Sequence, residues 1–252
     1  MDLGDAALIA GAGFLGGAVN AVAGGGSLIV FPALVATGFG TLVANVTNSV
    51  ALWPGYLGGV LGFRRELEGQ RARVGALSVV AAVGSGGGCA LLLSTPARAF
   101  DLVVPFLVLF ASLLLAVQPQ VGRLVGAPTA DHRDSARTLY PAVLLAGVYG
   151  GYFGGALGVI LLGTLALTVH DTLRRLNALK GALSLVVATV TVASFGLFGP
   201  VDWAAVAVIA PASLAGGFAG ARVARRLDDR VLRWCVVAFG MVVAVLLYLH
   251  SR

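Results

Sequence analysis

Two apolar runs in this chain are too long for one membrane crossing, and glycine interrupts both of them. The runs cover residues 6–37 and 138–169. A straight helix of about 32 residues would reach about 48 Å, whereas the hydrocarbon core of a bilayer is only ~30 Å thick. The interruptions fall at 24–27 and 154–158. Unwound backbone survives in hydrocarbon only where it is buried in protein or lines a cavity, so each run predicts a broken hairpin beside a binding site.

Composition places the chain in the membrane. Hydrophobic residues make up 58% of the 252 residues, charged residues make up only 11%, and the mean hydropathy is +0.95. These values predict an all-α polytopic membrane protein surrounded by a lipid bilayer. The formal net charge is +6, but the arginines form short clusters between apolar runs and are not interleaved with aromatic residues. This pattern is typical of topology signals and argues against a nucleic-acid partner.

The apolar runs form two sets of four, related by one constant offset. Adding 129 to the first set places Gly25 and Gly26 on Gly154 and Gly155, and Asn48 on Asn177. This offset predicts an internal duplication, with a first membrane repeat over 1–119, a cytoplasmic linker over 120–137 and a second membrane repeat over 138–252. The eight runs are 6–37, 42–62, 74–94, 100–118, 138–169, 176–198, 203–221 and 231–249.

The basic residues predict how the two repeats are oriented. If each of the eight runs crosses once, the 17 basic residues divide 8 against 9, which orients nothing. If runs 6–37 and 138–169 each enter and leave by the same face, 15 lie on one side and only Arg98 and Arg252 on the other. The second arrangement makes the repeats inverted, each a glycine-broken hairpin plus three transmembrane helices. It predicts a multi-pass plasma-membrane protein with both termini outside.

The chemistry near the breaks favours a small anionic substrate. Helix ends at the breaks offer backbone N–H groups and the positive end of the helix dipole. Polar side chains that can donate to oxyanion oxygens cluster beside them in apolar surroundings. The predicted substrate-binding residues are Asn20, Gly24, Gly25, Gly26, Ser27, Thr47, Asn48, Ser49, Gly154, Gly155, Asn177, Lys180 and Ser184.

Lys180 is the only lysine in the chain and has two interpretations. It lies inside an apolar helix about five residues from the expected cytoplasmic end. Its ammonium group either attracts the anion or snorkels to the membrane surface. The sequence leaves both open.

The acidic residues limit the mechanism. All 11 carboxylates fall in termini, loops or helix ends, and the three histidines are peripheral. A proton or sodium relay built on a buried acid is therefore not expected. The same absence argues against an intramembrane enzyme, and no catalytic residue, metal or cofactor is predicted.

The first half resembles the sulfite exporter TauE/SafE family. The resemblance lies in residues 20–34, which read NAVAGGGSLIVFPAL, in Thr47, Asn48 and Ser49, and in 63–65, which read FRR. It extends over the whole chain and implies a transporter of sulfite, thiosulfate or organosulfonates without a redox cofactor. The second half departs from the family pattern, because no proline follows the break at 154–158 within its hairpin.

The expected function is a secondary transporter, an exporter, that moves such an oxyanion by alternating access. A passive anion channel and a transporter of a small carboxylate are the alternatives. The sequence leaves the substrate, the direction, the coupling ion and the choice between monomer and homo-oligomer open.

Overall fold

The computed structural model describes residues 2–22, 24–124, 136–223 and 229–250, and these parts of the chain are helical throughout apart from short turns and connections. The α-helices are α1 (Leu3–Val22), α2 (Ser27–Ala36), α3 (Thr41–Ala51), α4 (Trp53–Gly62), α5 (Arg71–Ser94), α6 (Ala97–Leu124), α7 (Ala136–Tyr152), α8 (Leu157–Thr168), α9 (Leu173–Phe198), α10 (Trp203–Val223) and α11 (Asp229–His250). A short 3₁₀-helix, Arg64–Leu67, links α4 to α5. Most of the predicted linker, residues 125–135, lies outside the described residues.

Five of the described helices are long and apolar enough to cross a membrane. They are Leu3–Ala21, Arg71–Ser94, Ala97–Gln118, Leu173–Phe198 and Trp203–Gly220. Together with the shorter apolar helices, they confirm the prediction of an all-α, multi-pass membrane protein.

Both long apolar runs are broken at the glycine segments. The first is divided into α1 and α2, and the second into α7 and α8. Helices α1 and α2 run antiparallel, because Gly16 faces Val30 while Asn20 contacts Gly26. The first run is therefore a hairpin, with α2 half the length of α1.

The run 42–62 differs from the single segment that the sequence predicts. It forms two short helices, α3 and α4, which meet at Leu52. Pro54 lies at the start of α4 and has no N–H to continue the helical ladder. The corresponding part of the second half has no proline and forms the continuous helix α9.

The two halves pack against each other through two equivalent sets of contacts. Helix α1 packs against α10, and α7, its counterpart in the second half, packs against α5. In the same way α2 contacts α11, while α8 contacts α6. Each half supplies part of the other's packing: the cluster made mostly of first-half residues includes Ile209 and Val236, and the cluster made mostly of second-half residues includes Leu77 and Ala81.

Helix directions follow from the residues that face each other. Gly13 and Gly17 of α1 face Ile209 and Ser213 of α10, so these two helices run parallel. Helices α4 and α9 run antiparallel. The Nε1 of Trp53 donates to Thr189 Oγ1 at 2.9 Å, while Val60, seven residues further along α4, faces Gly181.

Glycines allow the exchanged helices to approach closely. A methyl group at Gly84 or Gly88 of α5 would overlap backbone atoms of α7, and one at Gly216 of α10 would overlap the Phe14 carbonyl. Gly86 and Gly87 face open space instead. Small residues are the usual means of close helix packing in membranes.

Candidate functional site

Two narrow cavities lie between α4 and α9, one beyond the other along the helix axes. The Lys180 cavity is lined by Asn20, Tyr56, Asn177, Lys180 and Ser184, among others. Its volume is ≈ 20 Å³, enough for about one water molecule. It joins side chains from α1, α4 and α9, and so brings the two halves together.

The second cavity, the Ser27 cavity, extends from the same point in the other direction. It is lined by hydroxyl groups from both halves and by the second glycine break. Its volume is also ≈ 20 Å³. Its polar or glycine lining residues are Ser27, Ser49, Tyr56, Gly150, Gly154, Ser184 and Thr191.

Three buried side chains of the Lys180 cavity carry polar atoms without a hydrogen-bond partner in the described part of the chain. They are Asn20 Nδ2, Lys180 Nζ and Ser184 Oγ. Their residues are 5%, 3% and 2% exposed. A buried donor without a partner costs about 1–3 kcal/mol, and more when it is charged. All three groups can donate a hydrogen bond, so the cavity is suited to an acceptor that carries negative charge.

The orientation of Asn20 is fixed by the first break. The backbone N–H of Gly26 donates to Asn20 Oδ1 at 2.7 Å. Since the oxygen is engaged, the amide nitrogen is the group left over. Gly26 has no space for a side chain, because a methyl group there would overlap the Gly16 carbonyl oxygen. The glycine is thus required to hold Asn20 in place.

The second break is held by a hydrogen bond in which the side chain donates to the backbone instead of accepting from it. Tyr149, at the position equivalent to Asn20, donates its hydroxyl to the carbonyl oxygen of Gly155 at 2.7 Å. Asn45 Nδ2 donates to the Tyr152 carbonyl oxygen at 3.1 Å. Ala156, at φ 57°, takes a left-handed conformation that side chains rarely adopt. These contacts stabilise the turn and add no free donor to it.

The two breaks touch each other. Gly24 has φ +86°, and a methyl group built on it would lie 2.6 Å from the Gly158 Cα. Its own N–H donates to the Val19 carbonyl oxygen at 3.0 Å. Glycine is therefore required at position 24 both for its backbone conformation and for this close approach.

The predicted site residues fall into three groups. Asn20, Asn177, Lys180 and Ser184 lie on the Lys180 cavity, and Ser27, Ser49, Gly154 and again Ser184 lie on the Ser27 cavity. The others line neither cavity: they are Gly24, Gly25, Gly26, Thr47, Asn48 and Gly155.

Several of the remaining residues have structural contacts. Thr47 Oγ1 accepts from the Asp202 N–H at 3.0 Å. A methyl group at Gly25 would contact Leu115. Asn48 is 1% exposed, and its Oδ1 has no partner among the described residues. Direct contact between substrate and the backbone of the breaks stays a prediction.

The ammonium group of Lys180 lies in the protein interior. At 3% exposed it does not extend to the membrane surface, so snorkelling does not describe this conformation. The sequence could not decide this, because it depends on where α1 and α4 lie around α9.

An ion-pair cluster connects the halves near the start of α9. Arg73 Nη1 lies 3.2 Å from Asp171 Oδ2, and Arg175 Nε lies 2.9 Å from Asp171 Oδ1. Arg175 Nη1 also donates to the Glu68 carbonyl oxygen at 3.0 Å. Burial alone would raise the pKa of the Asp171 carboxyl, but the hydrogen bonds from Arg175 and the Thr172 N–H, with the charges of Arg175 and Arg73, hold it below its ordinary value.

Sequence reasoning missed Tyr56 and Thr191. Tyr56 lines both cavities, and its hydroxyl lies beside the side chains of Asn20 and Ser27. Its surroundings in sequence, PGYLGG over 54–59, gave a signal, because it is the one hydroxyl-bearing side chain in a short apolar stretch rich in glycine. Thr191 gave none, because hydroxyl residues are frequent in α9.

Comparison with known proteins agrees with this membrane architecture. A "probable membrane transporter protein" of Haemophilus influenzae is 29% identical over 245 residues, covering 94% of this chain and 92% of that protein. The probable membrane transporter protein YfcA of Escherichia coli K12 is 30% identical over 261 residues, covering 94% and 87%. No solved structure matches the chain. The family model described as "Sulfite exporter TauE/SafE" matches residues 9–247. The chain therefore belongs to the sulfite exporter TauE/SafE family of membrane transporters.

Proposed function

We propose that this protein is a secondary transporter that exports a small oxyanion, such as sulfite, thiosulfate or an organosulfonate, across the plasma membrane by alternating access. The observation that carries the proposal is the Lys180 cavity, where three buried, unpartnered donors from two helices converge. The family description supports a sulfur oxyanion as the cargo.

The cavity's chemistry supports an anion over a cation or a neutral solute. An ammonium group, an amide nitrogen and a hydroxyl supply donors, and none of the described residues that line the cavity is a carboxylate. Binding an oxyanion would satisfy all three donors at once and neutralise a buried charge, which is worth more in a low-dielectric site than in water.

The helix directions support two inverted repeats. Helices α4 and α9 occupy equivalent places in the two halves and run antiparallel, whereas α1 runs parallel to α10, the counterpart of α5. Both observations fit halves related by an axis in the membrane plane. Arg73, just after the basic loop 63–70, pairs with Asp171, and Arg175 donates to the Glu68 carbonyl oxygen of that loop, as expected if both segments lie on the cytoplasmic side. On this basis both termini are outside.

The narrow cavities support alternating access over a passive channel. Each holds about one water molecule, so an anion could pass only if the protein changed shape. A channel would instead need a continuous open path.

Lys180→Met tests the site. The substitution removes a buried, unpartnered charge and keeps the volume, so the variant should melt at the same temperature as the wild type or higher. Anion flux into proteoliposomes should nevertheless fall at least tenfold. Loss of flux together with a lower melting temperature would instead indicate a structural role.

The substrate class is tested by thermal stabilisation of the purified protein. A ligand that binds only the folded state raises the melting temperature. Sulfite, sulfate, thiosulfate, sulfoacetate and small carboxylates are compared on the wild type and on Lys180→Met. The wild type should respond to a sulfur oxyanion and the variant should not. A wild-type protein that neither binds nor moves any of these anions would refute the proposed function.

A further inference from the structure

Tyr56 stands at the boundary between the Lys180 cavity and the Ser27 cavity. Only Tyr56 and Ser184 belong to the described lining of both. The Tyr56 hydroxyl lies beside Asn20, which lines the first cavity, and beside Ser27, which lines the second. The Tyr56 side chain therefore lies where the two cavities adjoin.

The two cavities follow one line across the protein. Along α9 their lining residues run from Asn177 to Thr191, and along the antiparallel α4 they run from Phe63 back through Tyr56 to Leu52. At 1.5 Å per residue, the stretch of α9 covers about 21 Å, most of a ~30 Å hydrocarbon core. The α9 residues that line the two cavities, 177–184 and 184–191, have centres about 10 Å apart at 1.5 Å per residue, so an object that moved from one cavity to the other would cross about a third of the hydrocarbon core.

We propose that the side chain of Tyr56 is a partition across the transport path. The two cavities are then successive binding sites for the same anion, one on each side of Tyr56. This inference rests on the proposed function and deepens it. Ser184 Oγ, unpartnered and common to both cavities, passes the anion from the Lys180 cavity to the hydroxyl groups of the Ser27 cavity.

The backbone around Tyr56 suits a moving partition. The break between α3 and α4 at Leu52 lies one helical turn before it, and Pro54 between them removes a backbone hydrogen bond. The glycines beside it, Gly55 and Gly58, face the backbone of α10 at Ser213 and Leu214, so no side chain at these two positions interlocks with α10. A bend at Leu52 would carry Tyr56 away from Ser184.

Flux measurements separate the roles of the ring and the hydroxyl. Tyr56→Phe keeps the ring, so flux should stay saturable and responsive to counter-substrate, with KM changed no more than about tenfold. Tyr56→Ala removes the partition, so flux should lose saturation and become independent of counter-substrate. A Tyr56→Ala protein with wild-type saturation and exchange would overturn the proposal.

Thiol labelling tests the partition without any substrate. Ser27→Cys and Asn177→Cys, each in a Cys89→Ala, Cys235→Ser background, place a thiol in one cavity each. With Tyr56 present, a small charged thiol reagent should label each variant at least tenfold faster from one face of the vesicle, and the preferred face should differ between them. Adding Tyr56→Ala should abolish both preferences.

The labelling result also separates this inference from the proposed function. If the labelling preference disappears in Tyr56→Ala but the wild type shows no anion flux, the partition is supported and the proposed oxyanion transport is rejected. Equal labelling from both faces with Tyr56 present, or sidedness unchanged in Tyr56→Ala, would reject the partition. If Tyr56→Ala fails to fold, Tyr56→Leu, which keeps more of the volume, replaces it in both assays.

Discussion

A single amide side chain sets the chemistry of the first break. Asn20 Oδ1 accepts from the Gly26 N–H, which leaves Nδ2 as a donor facing the Lys180 cavity. Tyr149, its counterpart, uses its hydroxyl to hold Gly155. The two breaks therefore differ: the first leaves a donor facing a cavity, whereas the second uses its hydroxyl donor within the turn.

Asn20→Asp should block transport without harming the fold. The carboxylate keeps an acceptor for the Gly26 N–H and places a negative charge in the cavity of Lys180, where it would occupy the place of the anion. Flux in proteoliposomes should fall more than tenfold, while the melting temperature stays equal to or above that of the wild type.

Asn45→Asp is the matched control for that experiment. Asn45 Nδ2 donates to the Tyr152 carbonyl oxygen, so a carboxylate there would face a carbonyl and lose the bond. That variant should melt at a lower temperature. Wild-type flux in Asn20→Asp would contradict a role for the Asn20 amide in binding.

At the residue scale, sequence could place polar groups near the breaks but could not orient them. Asn20, Asn177, Lys180 and Ser184 were predicted for one site, and the structure brings them to one cavity. Their role in binding stays a prediction. Tyr56 was missed despite its distinctive surroundings in sequence, because its position between the two cavities depends on packing between α4 and α9, helices from different halves of the chain.

At the scale of elements, the glycine breaks depend on both conformation and contact. Gly24 and Gly38 both have positive φ, at +86° and +91°. Only Gly24 faces another backbone, that of Gly158, whereas a methyl group at Gly38 would meet nothing within 4 Å. Substitutions at these two glycines can therefore separate the cost of backbone strain from the cost of steric overlap.

Gly24→Ala should destabilise the protein more than Gly38→Ala does. A residue with a side chain loses about 1–2 kcal/mol of stability in a left-handed backbone conformation, and this cost applies to both variants. Overlap at Gly158 adds roughly 1–3 kcal/mol in Gly24→Ala alone. Denaturation midpoints of the two purified variants measure the difference, and equal midpoints would show that contact between the breaks contributes nothing.

Helix positions were largely predictable, because apolar runs of membrane length are unambiguous. Both hairpin breaks were expected, since glycine clusters interrupt runs that are too long. The division of the run 42–62 at Leu52 was not expected, although the sequence contains Pro54. Proline is tolerated within membrane helices when neighbours satisfy the freed groups, as Pro141 in α7 and Pro211 in α10 show.

At the scale of the whole molecule, the Asp171 cluster connects the two halves. It joins Arg73 at the start of α5 to Arg175 in α9. Asp171→Asn should lower the melting temperature at pH 7 by ~2–4 °C, because a partly exposed ion pair contributes about 1 kcal/mol.

The pH dependence of that effect has a defined sign. The pKa of Asp171 is lowered in the folded protein, so its stabilisation is complete above the ordinary value of 3.8 and is lost as the pH falls through the depressed pKa. The difference between wild type and Asp171→Asn should therefore begin to shrink below about pH 4 and disappear only when the pH falls below the depressed pKa, as followed in thermal scans. A difference that persists in acid would mean that charge is not its cause.

The exchanged packing of α1 with α10 and of α7 with α5 has a historical consequence. Each half leaves uncovered the surface that the other half covers, so neither half buries that surface by itself. Under the inverted arrangement proposed above, an ancestor with one repeat would have needed two copies of itself inserted in opposite orientations. Fusion of the two copies would then have allowed position 20 and position 149 to acquire different side chains.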